Sequence, residues 1–213
     1  MDRQTALQLL AAHKPVLVSR FGVAQLALFG STARNAAHQG SDIDVLVGFD
    51  GPASSAQYFG VLFYLEDVLG CAVDLVTQKA LRREIRSMSS ARPCLSETAS
   101  RREWLFYISD RIGFCERILA FTQGTGRAEF PADAMRYDAT VRNIGLVGEA
   151  ATHVPESVRR NHPEIPWRMI IATRNQLIHG YLGIDDDVLW SIVQTDIPTL
   201  LANLRLLKTQ EPG

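Results

Sequence analysis

Residues 24–47 read AQLALFGSTARNAAHQGSDIDVLV, and this stretch sets the fold of the first half. Ala24 to Phe29 is an apolar run of strand length that stops at Gly30, and Asp42 to Val47 is a second one. Side chains alternate across a strand, so Asp42 and Asp44 project to one face while Ile43 and Val45 pack on the other. Two carboxylates are thereby aimed at one point. Like charges so close repel unless a cation lies between them, and hard oxygen donors suit Mg²⁺ bridging nucleotide phosphates. Between the strands, Gly30 permits close backbone approach, and a following helix N-terminus offers free N–H groups to an anion. The Ser31 and Thr32 hydroxyls can add hydrogen bonds, and Arg34 reads as a further phosphate or pyrophosphate contact or equally as a solvated surface residue. Asp74, within Ala72-Val73-Asp74-Leu75-Val76, supplies a third carboxylate from a strand that could lie alongside. Read blandly, these are turns and strand-edge charges. Against that, carboxylates inside otherwise apolar strands are expensive unless used.

Working outward, Ala6, Leu9 and Leu10 suit a short helix, and Pro15 is placed to open a second one. Ser54 to Leu69 has helical spacing, Gly70 can cap it, and Cys71 to Thr77 returns as a third strand. Ala80 to Met88 is helical in pattern, and Ser89 to Ser100 collects Ser, Pro, Arg and Thr without a period. Beyond it the pattern is helical: Arg102 to Phe121, Ala132 to His153, Pro166 to His179 and Val188 to Leu207, with a short turn or helix near Pro155 to Asn161. Pro198 is expected to kink or interrupt the last helix. The expected architecture is therefore two domains: an N-terminal α/β domain with a small mixed sheet over 1–92, a linker over 93–101, and an all-helical bundle over 102–213.

The apolar fraction of 46% is that of a folded, core-burying chain, and the net charge is −1. Up to Ser100 there are nine basic and nine acidic residues, and after it thirteen and fourteen. Neither half is a polycation, so any nucleic-acid contact must come from a local site rather than a bulk field. Cys71, Cys94 and Cys115 are odd in number, widely spaced and without a Cys-x-x-Cys pair, which reads as buried thiols in a reducing compartment. No stretch approaches the roughly 20 apolar residues that span a bilayer, and no leader pattern opens the chain. A cytoplasmic protein with no membrane partner is the expectation.

Gly30-Ser31, the ten-residue gap, Asp42-x-Asp44 and the later Asp74 resemble the nucleotidyltransferase superfamily of the polymerase-β type, and more narrowly its minimal prokaryotic members. The resemblance implies a two-metal mechanism with Mg²⁺ and ATP as nucleotide donor. In it Asp42 and Asp44 bind both ions, while Asp74 completes one site and helps activate the attacking hydroxyl. Asn35 departs from the glycine that many relatives carry, and the loop from Ala36 to Gly40 lacks their frequent charge.

The second half holds Arg174-Asn175-Gln176-Leu177-Ile178-His179-Gly180-Tyr181. Arg174 and His179 are five residues apart, about 140° around a helix, so they flank a groove rather than share one stripe. Gly180 ends the helix and lets Tyr181 project from the terminus. Arginine, four residues, histidine, one residue and tyrosine resemble the signature of HEPN-fold ribonuclease toxins. Val141-Arg142-Asn143-Ile144 with Gly148-Glu149-Ala150-Ala151, and Pro163-Glu164-Ile165-Pro166-Trp167, look like that family's second helix and the lead-in to its catalytic helix. The resemblance implies metal-free RNA cleavage by a homodimer formed through the helical domain. His179 would act as acid or base and Arg174 would stabilise the phosphorane. His13, His38, His153 and His162 have no partners at ligand spacing and read as surface or loop residues.

The two resemblances together are those of a type VII toxin–antitoxin pair joined in one chain. Two-gene relatives add AMP from ATP to the motif tyrosine and so silence the ribonuclease, which makes Tyr181 the expected modified residue. The rival is a small-molecule transferase of the aminoglycoside type whose helical half shapes the acceptor pocket. That rival leaves Arg174, His179 and Tyr181 unexplained. A catalytically silent nucleotide-binding scaffold is opposed by the three intact carboxylates.

Overall fold

The structure, a computed structural model, describes residues 3–29, 42–80, 103–179 and 184–210. Helix α1 (Arg3–Phe21) leads into strand β1 (Val23–Leu28); β2 (Ile43–Phe49), helix α2 (Ser55–Leu69) and β3 (Val73–Thr77) follow. The sheet order is β1-β2-β3, with β1 and β2 antiparallel and β2 and β3 parallel. A parallel pair needs a crossover, and α2 is that crossover. Its start is fixed by a capping box in which Ser54 Oγ accepts from the Gln57 N–H and Gln57 Oε1 accepts from the Ser54 N–H. Its end is the expected glycine cap: Gly70 is left-handed at φ 66° and its N–H donates to Glu66 O at 2.9 Å. The α/β reading with a small mixed sheet holds.

The core of this unit is built by period-two alternation. Ile43, Val45 and Val47 of β2 and Val73 and Leu75 of β3 are buried, together with Tyr58, Phe59, Leu62 and Leu65 of α2 and Ala6, Leu10 and Leu17 of α1. One expectation fails here. Pro15 does not open a second helix but lies inside α1, which runs unbroken. Pro15 removes the bond to the carbonyl of Ala11, and both residues are on the exposed side of the helix, where water can take that carbonyl.

The second unit is helical throughout its described residues: α3 (Glu103–Thr122), a 3₁₀ turn (Phe130–Ala132), α4 (Ala134–Thr152), α5 (Glu156–Asn161), α6 (Trp167–His179), α7 (Asp186–Ser191) and α8 (Ile197–Gln210). Helix α3 packs on α4 and α8, and α4 packs on α6. The interruption expected at Pro198 takes the form of a π turn, Ile192–Asp196, just before it, closed by the Ile197 N–H donating to Ile192 O. A widened turn gives the proline ring room beside the carbonyl four residues back without breaking the helix direction.

The chain divides into two compact units, Met1–Ser89 with Gly180–Val188, and Ser90–His179 with Leu189–Gly213. The segment Gly180–Val188 thus belongs with the α/β unit, although it interrupts the helical half in sequence. The expected linker 93–101 and the helical pattern beyond Ala80 lie outside the described residues. No helix among the described residues is long and apolar enough to cross a membrane.

Candidate active sites

Parallel pairing of β2 with β3 places Ile43 opposite Val73, Asp44 opposite Asp74 and Val45 opposite Leu75. Residues opposite each other in register share a face, so Asp44 and Asp74, both half-buried, lie side by side on the face away from Ile43, Val45 and Leu75. Asp42 sits one residue before β2, is exposed, and is followed by the Ile43 N–H donating to Ala72 O at 3.0 Å. Burial first, and the nearby Asp42 and Glu66 carboxylates with it, push the Cys71 thiol up. Behind the sheet, the buried Tyr58 hydroxyl donates to Leu75 O. Its ionisation is pushed far up by burial, and then by the charges of Asp74 and Asp185. Among the described residues no three carboxylate, histidine or cysteine side chains converge as a metal group. Gly30, Ser31, Thr32 and Arg34 lie outside the described residues.

The arginine of the second motif is held firmly. Arg174 Nε donates to Glu149 Oε2 at 2.7 Å, and its Nη1 donates to Asn175 Oδ1 at 3.1 Å. The Arg174 side chain is 16% exposed against 38% for Glu149, so the pair sits at the edge of the α4–α6 contact. That contact is unusually close at Gly148, where a Cβ would meet Arg174 Cβ at 2.3 Å and Ile170 O at 3.0 Å. Only glycine lets the stem of Arg174 lie on α4 there. His179 is the last residue of α6. Its side chain, with Gly180 and Tyr181, lies outside the described residues, so of the expected groove only the arginine side is described.

Comparison with known proteins matches residues 10–106 to the nucleotidyltransferase domain family and residues 112–207 to the ribonuclease HepT-like family. A Thermococcus cleftensis protein named as a probable ribonuclease HepT is 37% identical over 102 residues, 48% of this chain and 93% of its own length. A Methanocaldococcus jannaschii protein named as a candidate protein adenylyltransferase is 41% identical over 76 residues, 35% of this chain and 76% of its own length. The chain belongs to both families. It joins a nucleotidyltransferase domain to a HepT-like, HEPN-type ribonuclease domain, and a second M. jannaschii protein, named as a candidate RNase, is 30% identical over 108 residues, 51% of this chain and 99% of its own length. No solved structure matches the chain.

Within the HepT-like domain, Glu149 and Gly148 lie directly against Arg174, a contact the sequence alone does not assign. The Gly-Glu pair one helix upstream of the arginine was the available signal. Three histidines have partners beyond their surface reading, with His162 Nδ1 3.0 Å from Glu164 Oε1 and its side chain 13% exposed, while His38 lies outside the described residues. His13 Nδ1 lies 2.7 Å from the Tyr64 hydroxyl, and the His153 ring stacks on Tyr107 with centroids 4.6 Å apart. Of the cysteines, Cys115 is buried as expected, Cys71 is only half-buried, and Cys94 lies outside the described residues.

Proposed function

We propose that the nucleotidyltransferase domain transfers AMP from ATP to Tyr181 of the HepT-like domain, and that this silences RNA cleavage at Arg174 and His179. The observation that carries the reading is the register pairing of Asp44 with Asp74 in a chain that also holds the Arg-x4-His-x-Tyr motif. Asp44 and Asp74 offer hard oxygen donors on one sheet face, with Asp42 one residue before the strand, and oxygen donors of this kind fit a divalent cation such as Mg²⁺. Asp42, Asp44 and Asp74 would hold it, and when bound it supplies charge neutralisation for the nucleotide phosphates. Gly30, Ser31, Thr32 and Arg34 would bind those phosphates. Asp74 accepts the phenol proton, the Tyr181 oxygen attacks the α-phosphorus, the bond from that phosphorus to the bridging oxygen breaks, and pyrophosphate leaves.

In the unmodified protein, the Glu149 carboxylate fixes the Arg174 side chain so that its remaining N–H groups serve a scissile phosphate, and His179 moves the proton of the ribose hydroxyl. AMP on Tyr181 brings an anionic phosphate and a large base two residues from His179, which occupies the arginine and bars RNA. Incubation with Mg²⁺ and ATP should raise the intact mass by about 329 Da per AMP, the increment of phosphodiester formation on a hydroxyl. Asp42→Asn with Asp44→Asn should stay at its starting mass. A wild-type chain that also keeps its mass, but spends ATP on added aminoglycoside-type acceptors, would make the small-molecule transferase the better reading.

A further inference from the structure

The segment that follows the motif tyrosine is pinned to the transferase. Thr77, the last residue of β3, donates its hydroxyl to Asp185 Oδ2 at 2.6 Å and accepts from the Ala80 N–H at 3.2 Å. Asp185 Oδ1 accepts from the Asp187 N–H at 2.8 Å. Each side chain therefore caps the start of its own helical turn while bonding to the other. Thr77 and Asp185 are only 4% and 5% exposed, so this bond is made away from water, where it is strong and its loss leaves a stranded carboxylate. At the rim, Lys79 Nζ lies 2.8 Å from Asp187 Oδ2 and 3.8 Å from Asp185 Oδ1.

Among the described residues the hydrogen-bond and ion-pair partners of the Asp185 carboxylate are Thr77, Lys79 and the Asp187 N–H, and a single hydroxyl would cap α7 as well. The charge answers Thr77, the last residue of the strand that carries Asp74, and Lys79, two residues beyond it. Thr77 is three residues beyond Asp74, about 10 Å along a strand, and by alternation shares the opposite face with Leu75; β3 is an edge strand of the described sheet, so the way from one face to the other runs round that edge. Tyr181 is four residues before Asp185, a span of at most about 14 Å of chain. That length of chain with a tyrosine side chain added is enough to pass the edge strand and meet the carboxylate pair of the same molecule.

We infer that Thr77, Lys79, Asp185 and Asp187 are positioning residues that hold the acceptor segment on its own transferase, so that AMP transfer takes place within one chain. This rests on the proposed transfer to Tyr181 and specifies its geometry. Holding both reactants on one body replaces a bimolecular encounter by a local search at high effective concentration.

Two measurements test it. In the first, the rate of AMP incorporation per chain is followed over a hundredfold range of protein concentration; it should be constant for the wild type. Thr77→Val should lower that rate about tenfold or more and make it rise with concentration, and Thr77→Ser should restore it. Because Thr77→Val strands a buried carboxylate, the rim pair is exchanged as well. Lys79→Glu should slow incorporation, and Lys79→Glu with Asp187→Lys should recover it. In the second, wild type is mixed with a mass-tagged Asp42→Asn, Asp44→Asn chain, which should remain unlabelled after the wild type is fully modified. Label on the tagged chain, a wild-type rate proportional to concentration, or full wild-type kinetics in Thr77→Val and Lys79→Glu would overturn the tether while leaving transfer to Tyr181 standing. No label on any chain would overturn both.

Discussion

Arg111 carries a charge into the middle of α3, on the buried stripe shared by Trp104, Ile108, Cys115 and Ile118. None of its three guanidinium nitrogens has a hydrogen-bond partner among the described residues, and the guanidinium lies over the Trp167 ring, 4.9 Å from Cζ to centroid. Burial pushes its ionisation down to about 10, which leaves it charged at neutral pH. A buried, unpaired cation is destabilising beyond what one cation–π contact returns. Arg111→Met keeps most of the stem and drops the charge, so it should stabilise the helical unit by about 1–2 kcal/mol, read as a raised melting midpoint in calorimetry. A lowered midpoint would mean that the guanidinium has a partner outside the described residues. At this scale the aspartates were legible in sequence because a strand fixes which side chains share a face. Glu149 was not, because its partner lies on another helix, 25 residues on.

At the scale of elements, helix α4 is shaped to receive α6. Gly148 removes the one side chain that would hold the two apart, and the Glu149–Arg174 pair then sets the rotation of the arginine. Gly148→Ala would place a methyl 2.3 Å from Arg174 Cβ, and backbone at Ile170 O leaves little room to yield. It should cost about 1–3 kcal/mol of unfolding free energy and disturb Arg174 more than the sheet unit. Chemical denaturation checks the first part; the second shows as RNA cleavage lost out of proportion to stability. Unchanged stability would contradict the close packing. Element existence and type were readable from periodicity and caps, as Ser54 and Gly70 illustrate. Pro15 misled because proline favours a first helical turn but is also tolerated inside a helix where its orphaned carbonyl meets water. The π turn before Pro198 resolves a local clash that sequence flags without saying how it is relieved.

For the whole molecule, the division into a transferase and a ribonuclease half was visible in the change from alternating to purely helical patterning. The return of Gly180–Val188 to the first unit was not, because a contact 108 residues apart in sequence, Thr77 to Asp185, leaves no local signature. One chain supplies one Arg174 and one His179, so a composite ribonuclease site calls for two copies. Light scattering at micromolar concentration should give twice the 23.6 kDa chain mass. A monomer that still cuts RNA would remove the dimer from the account. The central claim is that this protein switches off its own ribonuclease at Tyr181. Its most direct test measures RNA cleavage by wild type and Tyr181→Phe, each before and after incubation with Mg²⁺ and ATP. Wild type should lose cleavage in proportion to the AMP it gains, while Tyr181→Phe should gain none and continue to cut. Equal loss of cleavage in both proteins, or none in a wild type that has gained AMP, would contradict it.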